Sequence, residues 1–462
     1  MDQRGNIEIR AGFFHKFLKL FTDIRPGEAG TALLLTLNIF LIFGAYYIIK
    51  IVRDSSILTE WGPETKSYLY GVISILLIFV IKAFSSISSK VPRQKLIAWV
   101  TLFFISNLLI FSVLNLFGIP FSTISIIFFV WASIFNVVIV AQFWGFANDI
   151  YTEGAGKRLF PIIAFGATFG AFVGSYAFKP LDKWMGLYQL LLVSAAVLGF
   201  CIFLTYIIHK REIKGKHITK ADEPLKQESV DKEKPLEKGG GFKLVFKKRY
   251  LLYIALFVLL LNLINTNGGY ILDRVIKNRA LGSVQAGTAG GLSVEQIIGS
   301  FYSDFYIVMN LLAMFIQLFL VSRIFKWFGV RTAVFFLPFI ALGGYFFISM
   351  GASLLIVKWI KAAENATDYS LMNTTRHALF LITSREEKYK AKAATDTFFH
   401  RAGDVTHSLI VFLWAQFIVV ESFAKFNIIM ALIWIVLGFL IVREHKRISL
   451  KKAQPQTAGH AS

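Results

Sequence analysis

The sequence predicts an all-α membrane protein in which about twelve transmembrane helices form two six-helix halves. Three observations carry this expectation. The 462-residue chain is 56% hydrophobic and 17% charged, with 47 Phe and a mean hydropathy of +0.61, whereas soluble domains average roughly 45–50% apolar and about 25% charged. A single soluble core is excluded on that ground. Apolar runs long enough to span a bilayer recur along the whole chain. Finally, 49 Lys and Arg against 28 Asp and Glu give a net charge of +21, and these charges fall between the apolar runs. A basic excess so placed sets orientation in a lipid bilayer, and nucleic acid is not an expected partner.

The N-terminal segment, residues 1–29, is polar and charged, with no short apolar stretch ending in small residues, so no cleavable secretory signal is expected. Phe13, Phe14, Phe17 and Phe21 lie near one helical face with Lys16 and Lys19 elsewhere, which predicts a short helix on the membrane surface. Spans follow at 30–52, 68–88, 96–117, 121–148, 158–180 and 186–208, making an N-terminal half over 30–208. Residues 209–249 are rich in Lys and Glu and contain Pro224, Pro235 and Gly239, Gly240 and Gly241, which reads as a solvated, largely disordered linker on the cytoplasmic side. A C-terminal half over 250–443 holds spans at 250–272, 298–320, 331–351, 354–382, 393–420 and 424–443, and residues 444–462 form a basic tail.

Assigning alternate connections to alternate sides places about 35 of the 49 basic residues in cytoplasmic segments when the N-terminus is inside. The cytoplasmic clusters are Lys90, Arg93 and Lys95; Lys157 and Arg158; the linker; Arg323, Lys326 and Arg331; 385–392; and the tail. Both termini are therefore expected in the cytoplasm. Two six-helix halves with both termini inside is the major facilitator architecture, in which the first helix of each three-helix repeat lines a central cavity. Spans one, four, seven and ten should then carry polar stripes.

They do. At 100° per residue, Tyr46, Tyr47, Lys50, Arg53 and Asp54 close the first span within a face about 120° wide. The fourth span holds Asn136, Gln142, Asn148 and Asp149, and the seventh puts Asn262, Asn265, Thr266, Gly269 and Asp273 on one stripe. In the tenth, Lys358, Lys361, Glu364, Asn365, Asp368, Thr375 and Arg376 share a face. Each ionisable group in lipid costs at least about 2.5 kcal/mol, so such faces must meet water or partners. Lys361, Glu364 and Asp368 can also pair with one another at i, i+3 and i, i+4, and Lys50 can pair with Asp54, which singles out Arg53 and Arg376 as cations for a substrate. Lys82 snorkels. Asp396, His400, Gly403 and His407 share a stripe of the eleventh span that admits a proton relay or a purely structural role.

Other chemistry is excluded by pattern. Cys201 is the one cysteine and lies in an apolar run, so there is neither a disulfide framework nor a Cys-rich metal site. The string Gly154, Ala155, Gly156, Lys157, Arg158 fails as a phosphate loop, because Tyr151 stands where a Gly is required and Arg158 where Ser or Thr is. Gly166, Gly170 and Gly174, at a spacing of four, mark a helix-packing seam. No enzyme domain, cofactor or metal is expected.

Particular strings carry a resemblance. Phe143 to Asn148, with Lys157, Arg158, Pro161 and Gly166 following, resembles the signature after the fourth helix of the nucleotide transporters of plastids and intracellular bacteria, the ATP/ADP translocases. Lys361 to Gly403, with Tyr369, Ser370, Leu371, Thr375, Arg376, Glu386, Lys388, Asp396 and Arg401, is similar to that family's tenth and eleventh helices, and Lys50, Arg53 and Asp54 to its first. The resemblance implies that Arg53 and Arg376 take the places of two substrate-associated lysines. It also implies two acids, near Ala132 and Ser133 and at Asn265, and both are absent here, which adds other phosphorylated or anionic solutes to ATP and ADP as candidates.

The expectation is a monomeric secondary transporter of nucleotides or related phosphorylated anions in a bacterial inner membrane, working by alternating access. Arg53, Arg376, Lys50, Asn265, Asn148, Asp149 and Lys361 are its candidate substrate residues, and Glu364, Asp368 and Asp396 its candidates for proton or charge coupling. Two alternatives stand beside it: a proton-coupled transporter of an organic anion, peptide or drug, and a membrane scaffold or sensor that does not transport.

Overall fold

The computed structural model describes residues 28–88, 90–151, 153–219, 240–384, 386–414 and 419–453, and these are helical nearly throughout. In chain order the helices are α1 (Glu28–Glu60), α2 (Gly62–Ser88), α3 (Arg93–Leu116), α4 (Phe121–Ile150), α5 (Glu153–Trp184), α6 (Leu187–Thr219), α7 (Gly241–Lys247) and α8 (Arg249–Gln285). They continue with α9 (Val294–Phe315), α10 (Val321–Ala333), α11 (Phe336–Ser349), α12 (Leu354–Thr367), α13 (Asn373–Leu379), α14 (Lys392–Ala394), α15 (His400–Trp414) and α16 (Val420–Ala453). Among the described residues, nine helical stretches are long and apolar enough to cross a membrane, and α11 is a shorter apolar helix. Exposed Phe79, Phe117, Phe203, Phe315 and Phe412 give the surface the apolar character that lipid requires.

The helices differ from the sequence expectation in length and continuity. α1 spans 33 residues and α8 spans 37, both running well past the ends expected at 52 and 272. At 1.5 Å per residue each exceeds the roughly 30 Å hydrocarbon core, so the stripe from Tyr46 to Asp54 sits inside α1 rather than at its end. The segments expected as single spans at 354–382 and 393–420 are helical paths broken by π turns, at Asp368–Met372 between α12 and α13 and at Thr395–Phe399 between α14 and α15. Further π turns occupy Ile316–Leu320 and Glu387–Ala391. A π turn inserts a residue into the i→i−4 ladder, which a 3.6-residue pattern does not reveal, and such turns are frequent at functional sites.

The expected linker at 209–249 is helical at both described ends, since α6 runs to Thr219 and α7 begins at Gly241. The Lys, Arg and Glu after His209 are good helix formers and simply extend the preceding helix. Likewise α16 carries helix to Ala453, into the expected tail. The surface helix expected at 13–21 lies outside the described residues.

Packing divides the described residues into two compact units: those within 28–50, 81–119 and 132–219 form unit one, and those within 51–80, 120–131 and 240–453 form unit two. The long helices α1, α2 and α4 each contribute to both.

In unit one, α1 and α5 meet at the predicted glycine seam. A Cβ on Gly170 would stand 2.1 Å from the Phe40 carbonyl oxygen, and one on Gly174 would stand 2.2 Å from that of Gly44, so only hydrogen fits between the backbones. Asn38 ties α1 to α6 by donating to the Thr205 hydroxyl at 2.9 Å and the Cys201 carbonyl at 3.2 Å. Gln142 of α4 donates to the Ile97 carbonyl of α3 at 3.1 Å, and Arg158 grips Glu28 through two nitrogens at 2.8 and 3.0 Å.

In unit two, α8 packs on α15 and α16, α16 on α11, and α9 on α12. Ser293 starts α9 with a reciprocal cap, its hydroxyl accepting from the Gln296 N–H while the Gln296 side chain accepts from the Ser293 N–H. Gly62, at φ +89°, turns the chain between α1 and α2, a conformation other residues rarely adopt.

The seam gives a direct expectation. Gly170→Val should lower the thermal midpoint of the detergent-solubilised chain by the equivalent of about 1–3 kcal/mol, the usual cost of overpacking, or more. Gly199→Ala, at a helical glycine with open space around it, should leave the midpoint unchanged or raise it slightly. Equal midpoints for the two variants would contradict the close approach.

Candidate functional site

Three groups of polar side chains lie inside unit two, and each contains residues that the sequence singles out. The first surrounds Arg53, which is 6% exposed. Its Nε and Nη2 both donate to Asp54 Oδ1, at 3.1 and 2.8 Å, and the guanidinium lies over the Phe129 ring at 4.8 Å. The other carboxylate oxygen of Asp54 accepts the Tyr306 hydroxyl at 2.6 Å. Lys66, near the start of α2, places its Nζ 3.0 Å from Asp273 and 3.5 Å from Asp54, and Tyr302 also donates to Asp273. Two cations and two carboxylates thus interlock, all of them buried. The sequence reading set Arg53 apart from the carboxylate of Asp54; in the structure Asp54 accepts from Arg53 as well as from Tyr306, a residue remote in sequence.

The second group surrounds Lys361, which is 1% exposed. Its ammonium donates to Glu364 Oε2 at 2.8 Å, to Asn265 Oδ1 at 2.9 Å and to the Asn265 carbonyl at 3.1 Å. An ammonium has three hydrogens, and here all three are committed. Tyr345 completes the set by donating to Glu364 Oε2 at 2.9 Å. The crossing depends on Gly268, where a Cβ would lie 2.0 Å from the Tyr345 hydroxyl and 2.6 Å from Lys361 Nζ. Asn265 therefore serves as a neutral acceptor for Lys361, and the charge that an acid there would supply comes from Glu364. Asp368, one turn on, begins a π turn and is 8% exposed, with no hydrogen-bond partner for its Oδ1 among the described residues.

The third group is a cleft of about 210 Å³ lined by Asn373, Arg376, His377, Asp396, His400 and Arg401. Arg376, half-buried on α13, makes one hydrogen bond, from Nη2 to the Asn373 side-chain oxygen at 3.2 Å. Its Nε is buried without a partner, and it forms no ion pair among the described residues. Asp396 is exposed and paired with Lys392 at 2.9 Å. His407, from the same predicted stripe, is 0% exposed and meets Asn267 Oδ1 through Nδ1 at 2.5 Å, while Asn267 donates to Asn427 at 2.9 Å. That chain of hydrogen bonds links α15 to α8 and α16, while His407 Nε2 is buried without a partner among the described residues.

The remaining candidates belong to unit one. Lys50 is half-buried with its ammonium 5.0 Å from the Tyr47 ring, and Asn148 and Asp149 are exposed at the C-terminal end of α4. Sequence reasoning missed Lys66, which falls between the first two apolar runs and looks like a loop residue. The available signal was a lone Lys three residues after Pro63 on the side where basic residues are scarce. Tyr302 and Tyr306 were also missed, because each has its partner in another helix.

Comparison with known proteins agrees with this architecture. The curated ADP,ATP carrier protein 1 of Chlamydia trachomatis serovar D is 23% identical over 317 residues, covering 60% of this chain and 55% of the carrier. The chain therefore spans little more than half the length of the curated relatives it matches. Among solved structures, the nucleoside transporter NupG aligns with a TM-score of 0.61 at 12% identity, over 89% of this chain and 98% of that one. A bacterial homologue of the human lysosomal transporter Spinster aligns with a TM-score of 0.54 at 16% identity, over 92% and 99%. These likenesses show a major facilitator fold. Residues 120–449, more than half of the chain, match the model of the TLC ATP/ADP transporter family, and the chain belongs to that family.

Proposed function

We propose that the chain is a secondary transporter that moves nucleotides or related phosphorylated anions across a membrane by alternating access. Its two six-helix halves are those read from sequence, 30–208 and 250–443, with both termini in the cytoplasm, and the membrane is a bacterial inner membrane in which the protein acts as a monomer. No covalent bond is made or broken in this reading. The observation that carries it is the state of Arg376. Arg53 and Lys361 are each held by a carboxylate, whereas Arg376 lines a polar cleft and, among the described residues, has a neutral amide as its one hydrogen-bond partner and a buried Nε without one. A guanidinium in that condition gains most from an anion with planar-spaced oxygens, and a phosphate offers them bidentately. Family membership and the name of the chlamydial relatives support nucleotides as the class.

Within the same fold, the buried carboxyl of Asp368, whose Oδ1 has no hydrogen-bond partner among the described residues, favours a second reading, in which proton uptake accompanies the anion. Proteoliposomes containing the full chain separate the readings. Labelled ADP should enter when unlabelled nucleotide is inside, and Arg376→Ala should lower uptake roughly ten- to a hundredfold, the loss expected for charge-assisted hydrogen bonds worth about 1.5–3 kcal/mol. Uptake at the wild-type rate in Arg376→Ala would sink the proposal. Uptake driven by a pH gradient and indifferent to internal nucleotide would favour the proton-coupled form.

Lys361 and Glu364 are assigned to the frame of the protein and not to the anion. Lys361→Met or Glu364→Gln alone should destabilise the chain by about 3–5 kcal/mol, because each leaves a buried charge or acceptor unpaired. The double variant should cost clearly less than the sum, as a thermal-unfolding cycle would read. Strict additivity would show that the pair is not coupled.

A further inference from the structure

We propose that Arg401 is a second phosphate-binding residue and that Arg376 and Arg401 together hold the phosphate chain of the transported anion. The inference rests on the transport reading above and names the part of the substrate that this cleft receives.

Size is the first argument. At about 210 Å³ the cleft is smaller than the roughly 300–1,000 Å³ of pockets that enclose a drug-sized ligand, so it takes a portion of a nucleotide. Its wall is polar and basic, which selects the phosphates over the base. Charge is the second argument. Asp396 is the one carboxylate on the wall, and Lys392 pairs with it at 2.9 Å, so the two arginines dominate the field inside.

The third argument is how Arg401 is held. Its contact with Asp404 runs through Nη1 alone at 3.3 Å, and its side chain is 34% exposed. This is a single-point contact, weaker than the forked grip a phosphate offers. Asp404 is also met by the Thr266 hydroxyl at 2.9 Å and the Ser74 hydroxyl at 3.4 Å. Arg401 can therefore take an anion while keeping Asp404, because only one of the five N–H groups of its guanidinium is engaged among the described residues. Arg376 stands on α13 and Arg401 on α15, so an anion bridging them ties together two helices that are separated by two π turns.

A chain of two or three phosphates reaches both arginines, and a single phosphate reaches one. The test is binding to the purified full-length chain in nanodiscs, by titration calorimetry with ATP, ADP and AMP as probes. The wild type should bind ADP and ATP at least about tenfold more tightly than AMP. Arg401→Gln should bring ADP and ATP to the AMP value while AMP changes less than about twofold, and Arg401→Lys, which keeps charge without the fork, should fall between. Three results would overturn the inference: equal affinity of the wild type for ADP and AMP, an unchanged ADP-to-AMP ratio in Arg401→Gln, or an equal loss of all three ligands in both Arg401 variants. Wild-type ADP affinity in Arg376→Ala is the separate result that removes the transport reading itself.

Discussion

A charge in the interior of a membrane-spanning fold has to meet an opposite charge, enough hydrogen-bond partners, or water, because the surrounding hydrocarbon supplies none of them. Much of unit two is organised by that demand. Arg53 and Lys66 lie against Asp54 and Asp273, with Tyr302 and Tyr306 filling remaining acceptor sites. Lys361 has its three hydrogens matched by Glu364 and Asn265. These sets bind α1, α2, α8, α9 and α12 into one framework, and they explain how a chain can keep so many ionisable residues inside apolar helices. Arg376 stands out against them as a cation whose partner is a neutral amide. The functional reading is the consequence of that contrast.

The framework is also a matter of backbone shape. Lys361 can reach Asn265 and Glu364 because residue 268 has no side chain, and α1 can lie on α5 because residues 170 and 174 have none. The π turns at Glu387–Ala391 and Thr395–Phe399 lie between Arg376 and Arg401, which line one cleft. Small residues and wide turns thus decide which of many polar side chains meet.

The helical class, the glycine seam and the polar stripes were legible in the sequence, since each depends on composition or on a repeat within one segment. Arg376 was legible for the same reason, as a cation too far along its stripe to join the Lys361 cluster. What was hidden depends on long-range pairing. Nothing local to Asp54 shows that Tyr306 and Lys66 will approach it, and nothing local to Lys361 shows that Asn265 will present both a carbonyl and an amide oxygen. The π turns were hidden because a hydrophobic stripe tolerates one inserted residue without losing its face. The reach of α6 to Thr219 was obscured by composition, since charged residues that suit a solvated tether are also good helix formers.

The central claim is that this protein leaves the cleft-lining Arg376 for its cargo and commits Arg53 and Lys361 to structure. A cryo-electron microscopy structure of the full chain with saturating ADP tests it most directly. The account predicts phosphate density within hydrogen-bond distance of the Arg376 guanidinium, with the Lys361, Glu364 and Asn265 contacts as they are here. Phosphate bound to Lys361, with Arg376 left on Asn373, would contradict it.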